Sequence, residues 1–80
     1  MSTIIDKDEF LGYEPYGDDY TIKYYQKEDC KHYAVVVYET DDDSKVIYTC
    51  KAQDKRSDAH DLAIASCRKH EKTILKQELL

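Results

Sequence analysis

Both glycines and the only proline of this 80-residue chain lie within Gly12-Tyr-Glu-Pro-Tyr-Gly17. The strongest backbone punctuation is thus spent in six residues, and a boundary is expected there between a short N-terminal segment and a longer unit. Before it, residues 3–11 (TIIDKDEFL) have the makings of a short helix capped by Ser2 or Thr3, with Ile4, Ile5 and Leu11 apolar. So short a helix needs tertiary support to persist.

After the boundary the hydrophobic period changes. Tyr20 to Tyr25 alternates, which puts Tyr20, Ile22 and Tyr24 on one face of a strand and Thr21, Lys23 and Tyr25 on the other. Residues 26–31 are polar and turn. His32 to Thr40 is a second strand, rich in β-branched and aromatic residues, with Tyr33, Val35 and Val37 opposed to Ala34, Val36 and Tyr38; both faces look partly covered. Asp41 to Ser44 is a hairpin tip, because side-chain carboxylates there can bond nearby amides, and Lys45 to Ala52 returns as a third strand. The last segment has helical period. Ala59, Leu62, Ala63, Ser66, Cys67, His70 and Ile74 form one stripe, with Asp61, Arg68, Lys72 and Lys76 opposite. Ser57 or Asp58 suits the N-cap, and bases gather late, as the helix dipole favours. The expected fold is α+β: a single domain in which a three-stranded antiparallel meander carries a long C-terminal helix on one face, residues 1–19 being an N-terminal segment and loop and residues 20–80 the β-β-β-α unit.

At this length the core is one thin layer with no room for a cofactor-sized cleft, so no cofactor is expected. The longest uninterrupted apolar run, Tyr33 to Tyr38, is far too short to cross a bilayer, and the first eight residues hold no apolar signal region. Three widely spaced cysteines, Cys30, Cys50 and Cys67, read as free thiols in a reducing cytoplasm.

Charge is distributed unevenly. Residues 1–30 carry net −5, residues 31–54 net −2 and residues 55–80 net +2. Phosphate binding draws on Lys and Arg to displace counterions, so a chain of net charge −5 is a poor unaided ligand for nucleic acid and suits a basic partner instead. All eight tyrosines fall between Tyr13 and Tyr48, in the same acidic stretch. Tyrosine gives rigid contact area with a polar tip, as protein-binding surfaces use it. The candidate partner-binding patch is Tyr13, Glu14, Tyr16, Asp18, Asp19 and Tyr20 together with Asp41, Asp42 and Asp43: carboxylates in place of backbone phosphates, tyrosines as anchors. The alternative for the same residues is a solvated loop with tyrosines covering the sheet. Tyr24, Tyr33 and Tyr48 read as packing residues.

Catalytic and metal chemistry find little footing. Cys30-x-His32 and Cys67-x-x-His70 have zinc-like spacing, but the helical pair lies on the apolar stripe, where a buried thiol and a bonded histidine are commoner, so no metal is expected. The runs of acids read as exposed turns rather than an acid and a base in separate environments, and neither glycine precedes a phosphate-cradling Gly-Lys-Ser/Thr. No catalytic residue is expected.

From Tyr20 onward the chain resembles the β-β-β-α part of a double-stranded RNA-binding domain. Tyr33-x-Val35-x-Val37 is similar to that family's aromatic-x-Val-x-Val strand, Cys50 and Ala52 to its small third-strand residues, and Asp58-Ala59-His60-x-x-Ala63 to the run opening its final helix. The resemblance implies RNA contact through Lys55, Arg56, His60 and Lys69. In size, acidity and tyrosine content the chain also looks like the small inhibitors that bacteriophages direct at host machinery, anti-CRISPR proteins among them. The function expected from the residues is a non-enzymatic inhibitor, viral in type, that blocks a basic nucleic-acid-binding site on a larger protein, with no membrane role. A degenerate RNA-binding domain is the second reading, and a self-associating module or homodimer with an edge strand or the Tyr38 side as its seam is the third.

Overall fold

The computed structural model describes residues 8–79, with side chains through residue 76. Four strands, β1 (Glu9–Tyr16), β2 (Tyr20–Gln26), β3 (His32–Glu39) and β4 (Ser44–Thr49), form one antiparallel sheet in sequential order, followed by a single helix, α1 (Arg56–Leu79). The chain is therefore α+β with a C-terminal helix on an antiparallel sheet, but the sheet has four strands rather than three. The added strand is β1, which occupies the stretch expected to be helix end, boundary and loop. The part of the N-terminal helix expectation that falls on residues 3–7 lies outside the described residues.

The punctuation that suggested a break is absorbed by strand geometry. The register of β1 against β2 shifts between Phe10 and Gly12, leaving Leu11 as a bulge, and Gly12 at φ +136° takes the backbone excursion. Pro15 lies on an edge strand, where a missing N–H is tolerated. Gly17, at φ +64°, turns the chain into β2. A second bulge at Ile47 interrupts β4 against β3, and both bulged residues, Leu11 and Ile47, pack against the core.

One face of the sheet receives α1. Tyr20, Ile22 and Tyr24 of β2 and Ala34 and Val36 of β3 are buried there against Ala59, Ala63 and Cys67. The three helical residues recur every four positions and are small, so the helix backbone can come close to the sheet. The packed face of β3 is thus the Ala34–Val36–Tyr38 face, and Tyr33, Val35 and Val37 lie on the other side. The helix begins at Arg56, so Ser57 and Asp58 occupy its first turn instead of the N-cap. The third expected strand ends at Thr49, after which Gln53 returns to bridge His32. Among the described residues no helix is long and apolar enough to cross a membrane.

Candidate functional site

The meander returns two acidic turns to the same end of the sheet. Residues 17–19 join β1 to β2 and residues 40–43 join β3 to β4, while the turn at residues 27–31 lies at the opposite end. Tyr20 pairs with Tyr38, and the Glu39 amide donates to the Asp19 carbonyl at 2.7 Å, which fixes the first turn beside the last residue of β3. Six exposed carboxylates, on Asp18, Asp19, Glu39, Asp41, Asp42 and Asp43, therefore share one end. None is in an ion pair among the described residues, where the pairs are Lys31 with Asp54 and His60 with Glu14. Arg68 and Lys72 line an open groove of about 450 Å³ together with Asp19, Tyr38, Ile74 and Leu75, beside this end.

The acids are not equivalent. Asp43 shapes its own turn: its carboxylate accepts the Ser44 amide at 2.8 Å and its carbonyl accepts the Thr40 amide at 2.7 Å. Glu39 accepts the Thr21 hydroxyl at 3.0 Å. Asp18, Asp41 and Asp42 make no side-chain hydrogen bond among the described residues and point free carboxylates at solvent.

The tyrosines divide differently from the sequence expectation. Tyr13 is the exposed one, at 68%, on the sheet face away from the helix. Tyr20 is 5% exposed and belongs to the core, with its hydroxyl 2.7 Å from His70 Nδ1. It cannot anchor a partner, because the alternation that puts Ile22 and Tyr24 against α1 puts Tyr20 there too. Tyr16 is half-buried, packs edge-on against Tyr20 at 5.9 Å and donates to Glu71 at 3.2 Å. Glu14, on the helix side of β1, accepts the Tyr24 hydroxyl at 2.9 Å and lies 3.3 Å from His60 Nδ1. Tyr38 is no exposed seam either, since its ring packs on Tyr20 at 5.1 Å and His70 at 4.8 Å. What remains of the predicted patch is Asp18, Asp19, Asp41, Asp42 and Asp43, to which the structure adds Glu39. Its place as the last residue of a strand, just before an aspartate run, was the available signal.

The residues considered for RNA do not form one surface. The Arg56 guanidinium lies over the Tyr24 ring at 5.2 Å from its centroid, and His60 Nδ1 is 2.7 Å from the Tyr24 hydroxyl. Lys55 is exposed at the start of α1. Lys69 lies roughly 20 Å further along the helix at 1.5 Å per residue, in a second groove with Ile47, Tyr48 and Leu62.

Burial governs the titrating groups. It pushes the Tyr20 hydroxyl up to about 12, with Glu71 adding to the effect, and the Cys67 thiol up to about 11. Tyr24 and Tyr33 are also raised, first by burial and then by hydrogen bonds to Glu14 and Asp8. A thiol held protonated is a poor nucleophile and a poor metal ligand. Among the described residues no three His, Cys, Asp or Glu side chains converge to hold a metal ion, and Cys30 is exposed in the turn far from the acidic end.

Fold and site together define a small α+β domain, a four-stranded meander bearing one helix, whose distinguishing feature is an acidic end that forms no ion pair among the described residues. No family model, no curated protein and no solved structure matches the chain.

Proposed function

We propose that this chain is a non-enzymatic, inhibitor-type binding protein whose acidic end occupies a basic, nucleic-acid-binding site on a larger protein. The observation that carries the reading is the adjacency of the two acidic turns, tied by the Glu39–Asp19 backbone hydrogen bond. That adjacency concentrates exposed charge of one sign at an end where, among the described residues, no lysine or arginine forms an ion pair with it. Carboxylates at such a tip present an anionic surface like that of a nucleic-acid backbone, so capture is by electrostatic steering and the block is steric. The groove residues Ile74 and Leu75 flank the tip as apolar contacts.

The test is affinity capture from a cytoplasmic extract, with identification of what co-purifies. It is repeated with a variant carrying Asp18→Lys, Asp41→Lys and Asp42→Lys, which leaves the turn-shaping Asp43 intact. Capture of a basic protein whose association slows steeply with added salt and fails with the triple variant supports the proposal. Salt-insensitive capture that the triple variant retains overturns it.

A further inference from the structure

Among the described residues, no element packs on the sheet face opposite α1. Cross-strand pairing puts Phe10 beside Tyr25 and Tyr25 beside Tyr33, with ring centroids 5.4 and 5.2 Å apart, and Val37 beside Val46. Phe10, Tyr13 and Val46 are 52%, 68% and 57% exposed on this side. In a chain that is 36% charged, the strand positions on this face hold two charged residues, Lys23 near its middle and Glu39 at the acidic end. Asp8 lies at its margin and is occupied by the Tyr33 hydroxyl at 2.6 Å. Apolar and aromatic area this sparse in charge, with Lys23 as the one charged side chain inside it, is close to the make-up of the buried centre of an interface.

We propose that this face binds the same face of a second copy of the chain, forming a reversible twofold dimer. Charge decides for a second copy and fixes its direction. The face has no excess of either sign, so it offers no electrostatic attraction to a polyanion or to a strongly basic protein, whereas self-pairing brings together two nearly neutral surfaces. A twofold dimer of facing sheets can run its strands parallel or antiparallel. Parallel strands would bring both sets of acidic turns together. Antiparallel strands send the two tips to opposite ends and move Lys23 towards the partner's Glu39. The size is adequate for a reversible contact: four strands about 4.8 Å apart and about 3.4 Å per residue give a footprint of roughly 400–500 Å² per copy. Two such faces give roughly 800–1,000 Å², the size of a weak, reversible contact.

The test is sedimentation velocity of the full chain from low micromolar to millimolar concentration, with circular dichroism confirming each variant's fold. Wild type should shift from monomer to dimer across the range. Val46→Glu and Phe10→Lys, at exposed positions, should stay monomeric and folded. Lys23→Glu should weaken the dimer about tenfold, and adding Glu39→Lys should restore it. A wild type that is monomeric throughout, or a dimer as tight in Val46→Glu as in wild type, overturns the proposal. So does a dimer abolished by Leu75→Lys in the helix groove but untouched on the sheet face. Asp18, Asp41 and Asp42, the residues changed in the capture experiment, stay free in this dimer and no other protein is needed for the measurement, so its outcome is separate from that of the capture experiment.

Discussion

Tyr24 of β2 and His60 of α1 are joined through 2.7 Å between hydroxyl and Nδ1, and ten residues further along the helix His70 makes the same contact with Tyr20. The spacing is a geometric match. Ten helical residues rise about 15 Å and four strand residues about 13 Å, so both pairs close when α1 runs antiparallel to β2. The Tyr24 proton goes to Glu14 at 2.9 Å, which leaves its oxygen to accept from the His60 Nδ1–H. One hydroxyl thus links β1, β2 and α1.

Removing that hydroxyl tests the link. Tyr24→Phe keeps the ring that packs under Arg56 and against His60 but breaks both hydrogen bonds. Glu14 and His60 are partly exposed and can take water in its place, so the expected loss is about 1–2 kcal/mol. Urea denaturation measures it, with an unchanged dependence on urea showing that the fold is otherwise intact. A loss below a few tenths of a kcal/mol would mean the hydroxyl contributes nothing beyond its water contacts.

Stability should fall in alkali. The folded pKa of Tyr20 is raised from 10.0 to about 12 and that of Cys67 from 9.0 to about 11. Each raised group binds its proton more tightly in the folded chain, so its contribution is complete below the unfolded value and disappears as pH passes the folded one. Tyr24 and Tyr33 shift in the same direction. The thermal midpoint should therefore decline from about pH 9 upward, with Cys67 leading and Tyr20 following up to about pH 12. Tyrosinate absorbance from the buried Tyr20 and Tyr24 should rise together with loss of the circular dichroism signal. Free titration of all eight tyrosines in a folded chain would contradict the burial of Tyr20 and Tyr24.

These contacts mark where the sequence was readable and where it was not. The faces of β2 and the helix stripe of Ala59, Ala63 and Cys67 follow from periodicity, because nothing interrupts their periods of two and of about 3.6. The first strand was hidden because the bulge at Leu11 breaks the alternation: Phe10 and Tyr13, three apart, share the face that residues two apart would share in a regular strand. Gly12 and Pro15 then mimic a chain break. The nearness of residues 18–19 to residues 41–43 was implicit in any antiparallel meander. The pairing of Tyr20 with His70 and of Tyr24 with His60 was not, since each contact depends on the distance between a helix and a sheet, which no local pattern encodes.

Two turn residues should respond in opposite directions. Cys30 has φ +68° and an exposed side chain. A side chain in the left-handed region costs roughly 1–2 kcal/mol, of which glycine recovers part after its own entropy is counted. Cys30→Gly should stabilise by about 0.5–1 kcal/mol. Gly17, at φ +64°, has open space where a Cβ would go. Gly17→Ala should nonetheless cost about 1 kcal/mol through backbone conformation alone. Equal effects of the two changes in chemical denaturation would refute the conformational argument.

The acidic end should make the folded chain sensitive to salt and to single neutralisations. Asp18, Asp41 and Asp42 repel one another across neighbouring turns, and among the described residues none of them is in an ion pair. Adding sodium chloride to the physiological range screens charges more than about 8 Å apart and should raise the thermal midpoint. Asp42→Asn should leave stability equal or higher by a few tenths of a kcal/mol. Asp43→Ala removes the same charge but also the acceptor for the Ser44 amide at 2.8 Å, so it should instead cost about 0.5–1.5 kcal/mol. The comparison is decisive because the two neighbours differ in hydrogen bonding far more than in charge environment. If both substitutions stabilise alike, charge repulsion alone governs this turn, and if both destabilise alike, Asp42 has a structural partner at the tip.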